Sequence, residues 1–402
     1  MKKSLVEGVV LLLISIILIF YQFNQIPKNL SYDEVEFARL ALHLDKVPYT
    51  PYSPLATGHS TLYFYIILFS FKIFGITSFA LRVPSAAFGL LNVFLIYILM
   101  RKIFDNKNSF MPFLLALVFV TLRWYFNFAR YAFEATFLLF LELSSITLFF
   151  EYVRKKDKFF LAQSGFFSGL AFNSYLPGRL FFLVPLFFLA IKRRLTSIFV
   201  FIIPFLIVIT PLCLYLWAHG DSRVNQQLYP VNTELTISQK VNFLSQNVTF
   251  FVSSFFIKGD MNGRHNYPRK PSLNPIVGVF VLLGLCLSFL KLSNFYNQFF
   301  LAYFFISALP SLLTYPWENP NILRTFTAIP SLVFFIGNGI QFLMRLKVKF
   351  QKRLFVFFVF VLFAISSFYE IRTYFVYQSK VFDQAFEAVG SLKENLIKPY
   401  VK

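Results

Sequence analysis

The sequence predicts an all-α, polytopic membrane protein, a bundle of about 11 transmembrane helices with two more helices lying along the membrane surface. Three observations lead there. Hydrophobic residues fill 57% of the 402 positions and Phe alone occurs 59 times, more than any water-exposed surface of this size tolerates. Apolar stretches of about 15 to 22 residues recur along the chain, close to the ~20 that a helix needs to cross a lipid core of about 30 Å. The stretches are continuous and do not alternate, which excludes a closed β-barrel and leaves helices that satisfy their own backbone in lipid.

The first span, 5–23, follows MKKSLVEG; with no small-x-small cleavage site before Tyr21, it reads as a retained helix and not as a signal peptide. In SYDEVEFARLAL, 31–42, Ser31 precedes Asp33 and Glu34, with apolar residues at 35, 37, 40, 41, 42 and 44. That pattern predicts a capped amphipathic helix over 33–45 on the membrane surface. LYFYIILFSFKIFG, 62–75, is short for a span and carries Lys72. Spans are then predicted over 81–100, 110–126, 133–152, 159–175, 180–191, 196–217, 276–290, 298–314, 324–344 and 353–369.

The basic residues decide how 62–75 lies. If it does not cross and the N-terminus is cytoplasmic, every basic cluster falls on the cytoplasmic side: Lys2 and Lys3, Arg101, Lys102 and Lys107, RKKDK at 154–158, KRR at 192–194, and Arg345 to Arg353. If it crosses, the last three clusters face outside. An interfacial or re-entrant helix is therefore expected, in a multi-pass protein of the plasma (inner) membrane. The chain then forms one membrane domain over 1–369, with exterior loops 24–80 and 218–275 and a short exterior tail, 370–402, whose FDQAFEAVGSLKENL reads as one amphipathic helix.

The net charge of +20 does not indicate nucleic acid, because the basic residues sit between apolar runs with no basic and aromatic array for stacking bases. Cys213 and Cys286 fall inside apolar runs and read as buried packing residues, not as a disulfide or metal pair.

This topology gathers Asp33, Glu34, His59, Arg82, Arg130, Glu134, Tyr175, Arg179, the loop 218–275, Glu318 and Arg324 at the exterior face. Charges at span ends are costly and line a cavity or form pairs. Asp33 and Glu34 fit two roles, carboxylates favoured by the dipole of a helix start, or a base where a membrane-bound substrate meets water. Glu134, four residues after Arg130, fits an ion pair on one helix face as well as a site role. YLPGR, 175–179, is a helix-breaking turn that would aim Tyr175 and Arg179 at the same cavity. In GDMNGRHNYPRKPSLNP, Asp260, Arg264 and His265 are candidates for an acceptor entrance; an Asp and a His five residues apart are not a metal signature.

YDEVEFARLAL, GHSTLYFYIILFSFKIFGITSFALRVPSAAFGLLNVFLIYILMRKIF, ARYAFEATFLLFLEL and GFFSGLAFNSYLPGRLFFLVPL, in this order and spacing, resemble the bacterial membrane glycosyltransferases related to protein O-mannosyltransferases and lipid A aminoarabinose transferases, of the GT-C fold class. The resemblance covers most of residues 1–215, with a weaker echo in 259–285 and 321–339. It implies an inverting transferase that takes a sugar, mannose or a related hexose by default, from a polyprenyl-phosphate donor to a hydroxyl acceptor on a protein, lipid or glycan. It places the catalytic carboxylate at Asp33 with Glu34 as helper, and matches 33–45 and 62–75 to the family's two juxtamembrane helices. Many relatives carry a Lys at the place of His59, so a phosphate contact and a plain interfacial role both remain open there.

A lipid-linked sugar phosphate needs a site at the bilayer surface with cations for its phosphate, and Arg holds phosphate oxygens through a planar fork of donors. Arg82, Arg130, Arg179 and Arg324 are the candidates, with His59, Glu134 and Tyr175 beside the donor. The first loop has no DxD pair of the kind that holds a divalent ion in oligosaccharyltransferases, so neither metal nor cofactor is expected beyond the donor itself. The rival readings are a transporter or flippase of a lipid-linked sugar and a noncatalytic polysaccharide-assembly protein. Against the transporter, the sequence shows neither midplane charges nor internal repeats.

Overall fold

The computed structural model describes residues 2–104, 110–193, 195–345 and 352–397, and its architecture is an all-α membrane bundle. Helix α1 is Lys2–Phe20, α2 Tyr32–Leu44, α3 Leu62–Phe74, α4 Ser78–Phe104, α5 Met111–Thr121, α6 Arg123–Phe128, α7 Ala135–Lys155, α8 Lys158–Phe172, α9 Leu183–Ile191 and α10 Leu195–His219. There follow α11, Ser222–Gln227, α12, Ile237–Phe256, α13, Pro275–Leu290, α14, Phe295–Leu312, α15, Ile329–Arg345, α16, Lys352–Arg372, α17, Phe382–Ala385, and α18, Leu392–Ile397. Between α2 and α3 a small hairpin pairs β1, Tyr52–Ser53, with β2, His59–Ser60, antiparallel.

Length and composition qualify five described stretches to cross a lipid core: Ser78–Phe104, Ala135–Lys155, Leu195–His219, Phe326–Arg345 and Leu354–Lys380. A sixth is added if α13 and α14, bent by 118°, count as one span. Fewer helices than the ~11 expected pass that test because several apolar runs are broken. Residues 110–126 split at Leu122, which is extended at φ −62°, ψ 120°. Residues 180–191 supply only the nine-residue α9, after a 3-10 turn over Leu176–Leu180. Helix α3 has 13 residues, about 20 Å of rise against a lipid core of about 30 Å, too short to cross alone.

The outer faces of α10 and α16 leave Phe199, Ile203, Ile207, Leu214, Phe357, Phe358 and Phe368 uncovered, an apolar surface suited to lipid. Cys213 and Cys286 lie on exposed faces as free thiols, contrary to the expected burial, because the helix sides that carry them look outward. Inside, α7 forms the axis, and Ser145 Oγ bonds Ser164 Oγ and Ser168 Oγ of α8, each at 2.9 Å. Glycine lets α10 close on α8: a Cβ on Gly165 would meet the Phe201 carbonyl oxygen at 2.0 Å.

Three basic clusters meet at one end of the bundle. Lys102, Arg154 and Lys155 share Glu151, while Lys156 and Lys192 line one small cavity. Lys107, Arg194 and residues 346–351 lie outside the described residues.

Two segments differ from expectation. The loop 218–275 contains α12, a 20-residue helix opened by a Thr236/Gln239 capping box. The tail is not one amphipathic helix: α17 and α18 are separated by an antiparallel bridge between Ala388 and Leu30 and by Gly390 at φ +103°. Backbone pairing with the residue just before α2 outweighs the local helical pattern, and Phe386, Ala388 and Leu392 join the main core. Arg39 Nη2 donates to the Asn395 carbonyl at 3.0 Å, so the tail straps α2 in place.

Candidate functional site

Helix α2 begins as the sequence indicates. Ser31 Oγ accepts from the Glu34 N–H at 3.1 Å, and the Glu34 carboxylate accepts from the Ser31 N–H at 3.0 Å. Glu34 is fully buried, and also accepts from Arg82 Nε at 2.8 Å, Arg82 Nη2 at 3.0 Å and the Ala132 N–H at 3.0 Å. It is the anchor of α2. Asp33, its neighbour, turns the other way, with its side chain 52% exposed and Oδ2 accepting from Arg264 Nη1 at 2.7 Å.

Two expected phosphate ligands are turned inward. Arg82 is buried, and besides Glu34 it holds the carbonyls of Pro27 and Asn29, both at 2.7 Å. Arg130 is buried too, and gathers the carbonyls of Leu18, Ile19, Tyr21, Gln22 and Ile26 while its Nε donates to the Tyr374 hydroxyl. It ties the exposed carbonyls after α1 to the bundle, and it makes no pair with Glu134. Neither residue lines any of the cavities among the described residues.

Glu134, at the start of α7, instead meets His59: Oε1 lies 3.0 Å from Nδ1. Arg223 of α11 also packs against the imidazole, its Nη1 at 2.8 Å from Nδ1 and 3.0 Å from Nε2. Burial, then the Arg223 charge, lower the His59 pKa and keep the ring neutral. When Nδ1–H donates to the Glu134 carboxylate, the neutral ring keeps Nε2 as its acceptor for Arg223. Gly58 allows the hairpin to deliver His59 here: φ is +91°, and a Cβ would lie 2.2 Å from the Tyr52 hydroxyl and 2.5 Å from Ser222 Oγ.

Asp221 knits the neighbouring elements. It caps α11 through the N–H groups of Arg223 and Val224, accepts from the Tyr52 hydroxyl at 3.1 Å and pairs with Arg179 at 2.5 Å. Burial raises its pKa, but the Arg179 guanidinium together with the hydrogen bonds from the Val224 N–H and the Tyr52 hydroxyl outweighs it, and the net shift is downward. The YLPGR turn places Tyr175 and Arg179 on the walls of the same cavities, whose lining residues do not include Asp33. Arg324 joins them and bonds Glu318 at 2.5 Å.

Two cavities adjoin along Tyr175, Leu176 and Arg179. The larger, about 220 Å³, has apolar walls including Leu180, Val224, Leu228, Pro310 and Leu313, with Arg179 and Arg324 among its lining residues. The smaller, about 10 Å³, is lined by His59, Glu134, Ser174 and Arg223 among others. Around them Arg179 Nε, Arg223 Nε, Arg324 Nη1, Glu134 Oε2 and Ser174 Oγ are buried without a hydrogen-bond partner. Other buried polar atoms, Arg123 Nε among them, also lack a hydrogen-bond partner, but these five are grouped on residues that line the two adjoining cavities. The Tyr175 hydroxyl is buried first of all, and it feels the charges of Arg223, Glu134, Arg324 and, least, Asp33.

Of the three acceptor-entrance candidates, only Arg264 reaches Asp33. Asp260 is buried and organises its loop, accepting from the N–H groups of Asn262 and Ile322 and pairing with His265 Nδ1 at 2.9 Å. Asp260 and His265 therefore serve the loop that presents Arg264. No group of three or more His, Cys, Asp or Glu among the described residues is placed to hold a metal ion. Sequence reasoning missed Arg223, Asp221 and Ser174; the signal was there in GDSRVN, an Asp cap directly after a span.

Residues 58–217 match the family model described as dolichyl-phosphate-mannose-protein mannosyltransferase. The apo oligosaccharyltransferase of Archaeoglobus fulgidus superposes with a TM-score of 0.56 at 14% identity, over 99% of this chain and 61% of its own. The chain has the GT-C fold. Another GT-C structure, AglB of the same organism in complex with an inhibitory peptide and a dolichol-phosphate, gives 0.54 at 15% identity, over 96% of this chain and 56% of its own. ArnT from Cupriavidus metallidurans, bound to undecaprenyl phosphate, gives 0.52 at 10% identity over 97% and 77%. The chain spans less than two thirds of the length of these oligosaccharyltransferases. No curated protein matches it by sequence. The GT-C fold expected from the sequence stands.

Proposed function

We propose that this GT-C protein is a membrane glycosyltransferase that moves a sugar, a hexose such as mannose, from a polyprenyl-phosphate donor to a hydroxyl acceptor at the exterior face of the plasma membrane. The observation that carries the reading is an apolar cavity whose arginines keep unpaired N–H groups, in a fold that also presents an accessible carboxylate, Asp33. The apolar walls suit the first isoprene units, and Arg179 and Arg324 suit the phosphate.

In this mechanism Asp33 takes the proton of the acceptor hydroxyl as its oxygen attacks the anomeric carbon. The bond from that carbon to the phosphate oxygen breaks, and its electron pair leaves with the polyprenyl phosphate, whose growing charge the arginines stabilise. One displacement inverts the anomeric centre. Arg264 orients Asp33, and Glu34 holds the helix that carries it.

The test is sugar transfer by protein reconstituted in liposomes, offered radiolabelled polyprenyl-phosphate sugars and a membrane acceptor fraction. Wild type is expected to release polyprenyl phosphate, and folded Asp33→Asn to release at least about a thousandfold less. Equal release by both would remove Asp33 from the mechanism, and none by wild type would overturn the reading.

A further inference from the structure

Arg223 has no task in that scheme, yet the polar contacts of the smaller cavity converge on it. Its Nη1 lies against both ring nitrogens of His59 and 3.4 Å from the Gly58 carbonyl, its guanidinium stands 5.2 Å over the Tyr175 ring, and its buried Nε has no partner. Buried N–H groups of a cation are costly to leave unpaired. The nearest unpaired groups, Arg179 Nε, Ser174 Oγ and Glu134 Oε2, line the same small cavity, which opens along Tyr175 and Arg179 toward the apolar one.

The imidazole is itself tightly framed. Phe37 of α2 and Phe64 of α3 pack edge-on at 5.2 and 5.1 Å, Glu134 just before α7 accepts from Nδ1–H, and Arg223 of α11 lies within 3.0 Å of both ring nitrogens, with Arg179 and Tyr175 lining the same cavity. A neutral imidazole so oriented gives Arg223 an acceptor without neutralising it. A carboxylate there would cancel the charge that an anion needs. The chain Glu134, His59, Arg223 thus fixes a guanidinium in place while leaving it cationic.

We propose that Arg223 is a ligand of the donor phosphate and that the Glu134–His59 pair is its positioning device. This rests on the lipid-phosphate reading above. Arg223 then completes a cradle with Arg179 and Arg324 around a monoester or diester phosphate whose isoprenoid chain enters the apolar cavity.

The experiment compares equilibrium binding of farnesyl phosphate and of farnesol, the same chain without its charge, to the detergent-solubilised full chain. Wild type is expected to prefer the phosphate. Arg223→Gln should lose about 10- to 100-fold of phosphate affinity and keep its farnesol affinity. His59→Phe should lose as much, His59→Gln less because its amide oxygen still accepts from Arg223, and the double variant His59→Phe/Arg223→Gln no more than either single change. Unchanged phosphate preference in Arg223→Gln overturns the inference and leaves the donor reading standing. Losses that add in the double variant overturn the positioning role of His59. A wild type that does not prefer the phosphate overturns both inference and reading. Reduced farnesol affinity in the variants would show a collapsed cavity and also count against it.

Discussion

Arg264 reaches across most of the chain to Asp33, Nη1 to Oδ2 at 2.7 Å, and both side chains meet solvent. The Arg264 backbone is pinned, since Asn127 Nδ2 donates to the carbonyls of Arg264 and His265 at 2.8 and 3.1 Å. Only the side chain is free to yield to an acceptor. Arg264→Gln is expected to lower kcat for transfer about tenfold and to change unfolding stability by less than about 1 kcal/mol, because exposed pairs contribute little. Steady-state kinetics beside thermal unfolding in detergent checks it.

Glu34 predicts the reverse behaviour. It is buried with Arg82 and four hydrogen bonds, so Glu34→Gln leaves a buried guanidinium uncompensated. A loss of about 3 kcal/mol is expected, seen as a lower unfolding midpoint and poor yield of folded protein. Asp33→Asn should leave the midpoint unchanged. Similar midpoints for both variants would show that the two carboxylates were assigned the wrong way round.

His59 makes folding pH-dependent with a definite sign. Its folded pKa lies below the ordinary value of about 6.5, owing to burial first and Arg223 second. The unfolded chain therefore binds the proton more readily. Stability from the neutral ring is present above pH ~6.5 and is lost as the pH falls through the folded value, at up to about 1.4 kcal/mol per pH unit. His59→Gln should flatten that slope in unfolding midpoints taken across the range; a slope unchanged by the substitution would mean that another group titrates.

The apolar cavity predicts a dependence on the lipid part of the donor. Leu228→Trp places a larger ring against its wall. The KM for polyprenyl-phosphate sugars should rise about tenfold with kcat held, the mark of lost uniform binding. A lower kcat at constant KM would locate the cavity elsewhere in the reaction.

Gly58 predicts the cost of disturbing the hairpin. Gly58→Ala puts a methyl group into the space of the Tyr52 hydroxyl and Ser222 Oγ at a φ that alanine avoids. A loss of about 1 to 3 kcal/mol of stability and weaker farnesyl phosphate binding are expected together, because the same hairpin carries His59. Thermal unfolding and binding on one preparation read both.

Much of this fold is legible in the sequence because lipid leaves the backbone few options: the apolar runs fall on helices, and SYDE carries its own capping box. Which arginine serves the ligand is not legible. Arg82 and Arg179 both stand near span ends, and only the folded chain shows that the first is enclosed by the carbonyls after α1 while the second keeps Nε unpaired. The tail misled for a related reason: its amphipathic pattern is real, but a strand-like partner far away in sequence, Leu30, takes the backbone of Ala388, and Gly390 was the local hint.

That bridge also bears on timing during synthesis. Leu30 leaves the ribosome early and Ala388 late, so the segment just before Asp33 waits, through the insertion of the whole bundle, for the strand that locks it. A nascent chain halted before Ala388 carries the bundle without the backbone clasp on the segment that leads into α2.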